Sequence, residues 1–160
     1  MLRMTKQADY GIVLMTHLAR DVERYYAASE LASATHIPLP TVSKILKLLA
    51  REGLLLSHRG VKGGYALARP PERISIAAMI SALEGPIAFT ECIEDAPGAC
   101  SQEEVCRLRG NWQRINQAVR RALEDISLAE LSHPLPPPLV QLRGHNAAVA
   151  TGAGAAPGAL

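Results

Sequence analysis

The chain has 160 residues, of which 48% are apolar, and a formal net charge of +2. This length and apolar content allow one compact domain with an additional helix. No apolar run is long enough to cross a bilayer, and residues 1–9 are too polar for a secretory signal peptide. We therefore expect a cytoplasmic globular protein. The small net charge does not by itself indicate nucleic-acid binding, which would need local clusters of Lys and Arg.

The first half of the chain has the pattern of a helix-turn-helix. Thr5 is placed to cap a first helix, whose apolar residues recur at helical spacing. A short Ala-rich helix is predicted over 28–34, and His36 stands in the following turn, where a left-handed backbone is required. Pro40 suits the first turn of a third helix that runs to about Glu52. The pattern thus predicts three helices with a tight turn between the second and the third.

The third helix is predicted to separate an apolar stripe from a short basic face. The stripe consists of Val42, Ile45, Leu46, Leu48 and Leu49. The opposite face consists of Thr41, Ser43, Lys44 and Lys47. Such a face can contact base edges and phosphates in the major groove of DNA, or it can be an ordinary solvated surface. The helix alone does not decide between the two.

A glycine-rich hairpin follows the third helix. Two short strands are predicted over 54–57 and 64–67. The loop between them contributes His58, Arg59, Gly60 and Lys62. An arginine at this tip can enter a minor groove while neighbouring cations contact phosphate, although a flexible hairpin with solubilising charges is the alternative. The basic face of the third helix and the tip of the hairpin are both expected to lie on one DNA-binding surface. We therefore interpret the unit as a winged helix that binds double-stranded DNA.

Two more helices are predicted in the second half. Ser75 can cap a helix that Gly85 and Pro86 end. Farther on, apolar residues alternate at spacings of four and three, the pattern of a helix that packs on another helix. These residues are Leu108, Trp112, Ile115, Val119, Ala122 and Ile126. We interpret this segment as a dimerisation helix, and we expect the Pro-rich and Ala/Gly-rich remainder of the chain to be disordered.

Three cysteines, Cys92, Cys100 and Cys106, lie in one short stretch between these two helices. In a reducing compartment they are expected to be metal ligands or redox-sensing thiols rather than disulfide partners, and an odd number leaves one unpaired. Thiolates in one loop can bind an iron–sulfur cluster or zinc. Thiols that bind no metal are the third interpretation, and spacing alone does not decide among the three.

Four segments of the chain together resemble one family. They are TKQADY at 5–10, IPLPTVSKIL at 37–46, RGVKGGY at 59–65, and the three cysteines followed by RLRGNWQ at 107–113. From residue 1 to about residue 131 the chain is similar to the bacterial Rrf-type regulators, the winged-helix group that includes IscR-like and NsrR-like iron–sulfur sensors. Within this group it looks most similar to regulators of the SUF iron–sulfur assembly system. The resemblance implies a homodimer that binds a DNA operator under the control of a cluster.

The resemblance also implies a set of cluster ligands, with two departures from the family pattern. Seven residues separate Cys92 from Cys100, which is more than in IscR-like members. Where those members have a histidine ligand this chain has Arg109, whose guanidinium stays protonated and cannot bind iron. NsrR-like members instead use a carboxylate near the start of the first helix, donated by the partner subunit, and the matching residue is Asp9. The resemblance therefore implies Asp9 as the fourth ligand beside the three cysteines.

Two further points about the ligands remain open at this level. An acidic side chain such as Asp9 in a first helical turn also stabilises the helix dipole, which is the simpler interpretation. If Asp9 is not a ligand, His17 or His36 is available, although both suit structural roles. Because residue 109 is an arginine rather than a histidine, a 4Fe-4S cluster is favoured over a 2Fe-2S cluster.

We therefore expect a mainly α fold with a small β-hairpin, formed by a winged helix-turn-helix domain and a long C-terminal dimerisation helix. The domain boundaries are 1–84 for DNA binding, 85–107 for the cluster-binding loop, 108–131 for the dimerisation helix and 132–160 for a disordered tail. The expected function is transcription regulation, as a repressor of SUF genes. We expect no enzymatic activity, no binding to a membrane and no small-molecule substrate. The alternatives are a zinc-binding or thiol-redox-sensing regulator without a cluster, and an iron–sulfur or thiol electron-transfer protein.

Overall fold

The computed structural model describes residues 4–60, 63–90 and 106–133. In these ranges it contains six α-helices, a two-stranded hairpin and a short 3-10 helix. The helices are α1 (Lys6–Leu18), α2 (Ala28–Thr35), α3 (Leu39–Arg51), α4 (Ile76–Glu84), α5 (Arg109–Glu124) and α6 (Leu128–Ser132), and the strands are β1 (Leu55–His58) and β2 (Gly64–Leu67). No helix in these ranges is long and apolar enough to span a membrane.

The local signals in the helix-turn-helix segment are confirmed. The Thr5 hydroxyl accepts a hydrogen bond from the backbone N–H of Ala8, as expected of an N-cap residue. His36 ends α2 with a φ of 56°, in the left-handed region that was predicted for this turn. Pro40 lies in the first turn of α3, where its missing N–H leaves no hydrogen bond unmade.

The core lies between the helix-turn-helix and α4. The largest fully buried side chains are Leu14, Met15, Leu18, Leu31, Val42, Ile45, Leu46, Leu49, Ile74, Met79 and Leu128. Four of the five predicted stripe residues of α3 belong to this core, and Leu48 is partly buried at its edge. Gly11 lets α1 approach α4 closely, because a Cβ atom there would lie 2.3 Å from the Leu83 Cδ1 atom.

The hairpin is antiparallel, and its register pairs Leu55 with Leu67 and His58 with Gly64. The second strand has the predicted bounds, whereas the first begins and ends one residue later than predicted. This sheet has a third partner that the sequence pattern does not predict. The backbone groups of Tyr26 and Tyr65 exchange two hydrogen bonds of 2.9 Å each, so the α1–α2 connection pairs with β2.

The segment predicted as one dimerisation helix over 108–131 is divided in the structure. Helix α5 ends at Glu124, and α6 begins after Ser127, whose side chain forms a reciprocal capping box with Glu130. The Leu128 backbone N–H donates to the Ile74 carbonyl at 2.7 Å, and the Leu128 side chain is fully buried. Ile126 therefore lies in the connection after α5 rather than on the helical seam. Of the tail expected over 132–160, residues 134–160 lie outside the described ranges.

Candidate nucleic-acid interface and cysteine site

Helix α3 presents the basic face that the sequence predicts. Lys44 and Lys47 are exposed, while Thr41 and Ser43 are partly buried at the two flanks of that face. The buried stripe fixes α3 against the core, so the opposite face is available to a ligand. The face is short, polar and positively charged, as a surface that contacts phosphates and base edges should be.

The tip of the hairpin is exposed and is shaped by its glycines. His58, Arg59 and Gly60 are all exposed. Gly60 has a φ of 118°, a conformation that strains any residue with a side chain, and its carbonyl accepts from the Gly63 N–H at 2.9 Å. The predicted contact residue Lys62 lies outside the described residues.

The end of the hairpin next to its loop is braced against the α1–α2 connection. Besides the backbone pairing of Tyr26 with Tyr65, the Tyr25 ring meets the His58 ring edge-on at 5.5 Å between centroids. A Cβ atom on Gly64 would lie 2.5 Å from the Tyr26 carbonyl oxygen, so glycine is required for this approach. Two adjacent residues of high β propensity after a polar break are the signal that could have revealed the pairing.

Hydrogen bonds join the start of α1 to the end of α4. The Thr5 hydroxyl donates to the Glu84 carboxylate at 2.6 Å, and the Thr5 backbone N–H donates to the same oxygen at 3.0 Å. The Gln7 side-chain amide donates to the Leu83 carbonyl at 2.8 Å. We call this group of four residues the α1–α4 clamp. It fixes the first turn of α1 beside the point at which the chain leaves α4 towards the cysteines.

Asp9 is exposed near the start of α1, immediately beyond the clamp. With the residues that the structure describes it forms no ion pair, so its carboxylate is available to a ligand. Its place in the first turn also satisfies the simpler interpretation, stabilisation of the helix dipole. The two roles do not exclude each other.

Of the three cysteines, the structure describes only Cys106. It is partly buried, has a free thiol and stands at the start of the turn that leads into α5, where its carbonyl accepts from the Arg109 N–H at 3.4 Å. Cys92 and Cys100 lie outside the described residues. Within the described ranges, no three His, Cys, Asp or Glu side chains come together as a metal site. The assembled ligand set thus remains a prediction.

The two histidines considered as reserve ligands have other surroundings. The His17 ring packs edge-on against the Tyr26 ring at 5.6 Å. Burial, and then the nearby charge of Arg20, lower the pKa of His17, which favours the neutral imidazole. His36 supplies the left-handed residue after α2. Both observations support the structural roles.

Helix α5 leaves much of its apolar seam uncovered. Leu108 is 56% exposed, Ile115 47% and Trp112 37%, and Ala122 is exposed as well. Val119 is partly buried, since α5 also contacts α4. Large apolar side chains aligned on one helical face are typical of a surface that another protein chain covers.

Comparisons with known proteins agree with this architecture. The family model described as "Rrf2: Iron-dependent Transcriptional regulator" matches residues 4–134. The chain belongs to the Rrf2 family. The HTH-type transcriptional regulator NsrR of Halalkalibacterium halodurans is 28% identical over 131 residues, which cover 81% of this chain and 90% of that protein. The residues that the family model matches include the winged helix and α5.

Two solved Rrf2-family structures have the same fold. The structure of CymR, the global cysteine regulator of B. subtilis, superposes with a TM-score of 0.64 at 29% identity and covers 82% of this chain and 97% of its own. IscR of T. potens superposes with a TM-score of 0.62 at 25% identity, covering 81% and 85%. The winged-helix fold class is thereby confirmed. These relatives are transcriptional regulators rather than enzymes, which confirms the expected class of function.

Proposed function

We propose that this Rrf2-family protein is a homodimeric repressor of SUF iron–sulfur assembly genes that senses an iron–sulfur cluster. The proposed ligands are Cys92, Cys100, Cys106 and Asp9, and a 4Fe-4S cluster is favoured over 2Fe-2S. Similarity to NsrR and IscR and the family description as iron-dependent support cluster sensing. The SUF target rests on the sequence resemblance alone.

The observation that best supports this proposal is the position of the two described ligand candidates. Cys106 leads directly into α5, and Asp9 stands next to the α1–α4 clamp. Its available carboxylate and three thiolates are a donor set suited to iron, because thiolates are the usual ligands of iron–sulfur clusters. When bound, the cluster would supply iron–ligand bonds that join the cysteine stretch to the first turn of α1. Arg109 cannot replace Asp9, since its guanidinium stays protonated.

The chain's own contacts connect these ligand positions to the proposed DNA interface. The clamp joins α1 to α4, both helices pack on α3, and α4 contacts α5. If the starts of α1 and α5 are ordered, these helices would therefore hold α3 at a fixed position relative to the apolar seam of α5. If the seam joins two subunits, this relation sets the distance between two α3 helices on a duplex. The proposed interface consists of Thr41, Ser43, Lys44, Lys47, His58, Arg59, Gly60 and Lys62.

The ligand set can be tested with Cys100→Ala. We expect this variant, purified without oxygen, to lose cluster iron and acid-labile sulfide while keeping the helical circular dichroism of the wild type. The loss is expected because the remaining donors do not complete the coordination of the cluster. A variant that retains the full iron and sulfide content would remove Cys100 from the ligand set.

A second candidate function is a regulator that responds through its thiols without a cluster. It is favoured by the similarity to CymR of B. subtilis, which is named as a regulator of cysteine. A zinc site formed by the same cysteines belongs to this alternative. Iron, sulfide and zinc analysis of the protein purified without oxygen separates the two candidates, because only the cluster contains inorganic sulfide.

A further inference from the structure

An unusual apolar tip precedes the basic face of α3. Leu39, the first residue of α3, is 45% exposed, and Pro38 and Pro40 on either side are exposed as well. An isolated exposed leucine is ordinary on a protein surface. This leucine, however, lies at the end of the helix that approaches base edges first when a helix-turn-helix protein binds DNA.

The tip has no side chain that can form a hydrogen bond. Residues 37–40 are Ile, Pro, Leu and Pro, and neither proline has a backbone N–H. Ile37 is buried in the core, so Leu39 is the large flexible apolar side chain that this turn exposes. Ser43 lies one helical turn farther on the same side, and Lys44 and Lys47 follow on the adjacent basic face.

The chemistry of the major groove limits what such a tip can recognise. Guanine, adenine and cytosine are distinguished in the major groove by their hydrogen-bonding groups, whereas thymine adds an apolar C5-methyl group. A side chain without donors or acceptors gains most by covering that methyl group, and it leaves the polar edges of other bases without a partner. The lysines beside the tip provide the positive charge that holds it near the duplex.

We propose that Leu39 determines sequence specificity by packing on the C5-methyl group of a thymine in each operator half-site. This inference rests on the proposed role of α3 in DNA binding. The same methyl group occurs on 5-methylcytosine, so the shared chemistry is a 5-methylpyrimidine, and thymine is the source to which we commit.

The test begins with selection of a preferred duplex from a random library by the purified full-length dimer. Each thymine of that duplex is then replaced in turn by deoxyuridine, which removes the methyl group and keeps the pairing. We expect at least one such replacement per half-site to weaken wild-type binding about fourfold, the value for exposing one methyl group. Leu39→Ala should bind the thymine duplex with the same loss and should not respond to that replacement.

Val22→Ala is the matched control, since it also shortens an exposed apolar side chain, outside α3 and the hairpin. It should bind like the wild type and keep the full response to deoxyuridine. Thermal unfolding of both variants checks that neither change disturbs the fold, which is expected because both side chains are largely exposed.

The possible outcomes distinguish failure of the Leu39 proposal from failure of the proposed DNA-binding function. If a duplex is selected but wild type and Leu39→Ala respond equally to every deoxyuridine, the Leu39 proposal is overturned and DNA binding stands. If no duplex is selected, both fail. If 5-methylcytosine at the sensitive position binds better than thymine, the assignment to thymine is overturned.

Discussion

Arg59 is the residue through which the hairpin is expected to contact DNA. It is exposed at a tip that Gly60 and Gly63 shape and that the Tyr26–Tyr65 pairing braces. A braced tip loses little conformational freedom on binding, so a guanidinium there can contribute its full interaction with the negative potential of a groove. We expect Arg59→Ala to weaken operator binding about tenfold, as for loss of a charge-assisted hydrogen bond.

The measurement is a titration of the selected duplex at several salt concentrations. Arg69→Ala is the control, because it removes the same charge from an exposed position beyond the other end of β2. Loss of a cation bound in the groove would also flatten the salt dependence of binding for Arg59→Ala, because fewer counterions are then released. Equal affinities for the two variants would contradict the role of the hairpin, and cluster content should not change in either.

Residues governed by local rules could be predicted from the sequence. The cap at Thr5, the left-handed turn at His36 and the first-turn proline at Pro40 each follow from the chemistry of one residue and its neighbours. Tyr26 could not be predicted in this way, because its pairing with Tyr65 joins residues far apart in the chain. Such a contact depends on how the elements pack rather than on a local preference.

Among the elements, α1 and α4 form the unit that connects the ligand region to α3. The Thr5 hydroxyl has two partners, since it accepts from Ala8 and donates to Glu84. We expect Thr5→Ala to lower the free energy of unfolding by about 1–2 kcal/mol, because both the helix cap and the link to α4 are lost. Chemical denaturation followed by circular dichroism measures this change.

Thr16→Ala is the matched control within the same helix. The Thr16 hydroxyl donates only to the Val13 carbonyl, at 2.9 Å and near the surface, so its loss should cost little. If both variants lose the same stability, the clamp does not join the two helices as described.

Element boundaries were predicted well where a cap or glycine marks them, and less well where a tertiary contact does. The division between α5 and α6 depends on burial of Leu128 and on its bond to the Ile74 carbonyl. The spacing of apolar residues continued through this point and therefore indicated one helix. The Ser127–Glu130 capping box is the local signal of the break.

At the scale of the whole molecule, the exposed seam of α5 predicts a dimer. Ile115 is 47% exposed at the middle of the seam. We expect Ile115→Glu to raise the dimer dissociation constant more than about 100-fold, because each subunit would bury an unpaired charge. Sedimentation velocity over a range of concentrations measures this constant.

Gln117→Glu places the same charge on the polar side of α5, where Gln117 is exposed. This control variant should sediment as the wild type does. A wild-type protein that is monomeric, or an Ile115→Glu variant that remains dimeric, would show that the seam is not the interface.

The fold of the whole molecule followed from the sequence more completely than the ligand site did. Three helices and a hairpin are defined by apolar periodicity and turn residues, and the solved relatives confirm the winged helix. Residues 91–105, which contain Cys92 and Cys100, lie outside the described residues, so their predicted convergence on Cys106 stays a prediction. Donor spacing alone cannot distinguish iron from zinc, since thiolates bind both.

The most direct test of cluster sensing is native mass spectrometry of the protein purified without oxygen. One spectrum reports the number of subunits together with bound iron, sulfide or zinc. We predict a dimer whose excess mass corresponds to one 4Fe-4S cluster per subunit, and we predict that Cys100→Ala lacks this excess. A dimer that contains only zinc, or one that reproducibly contains no metal, would contradict this prediction.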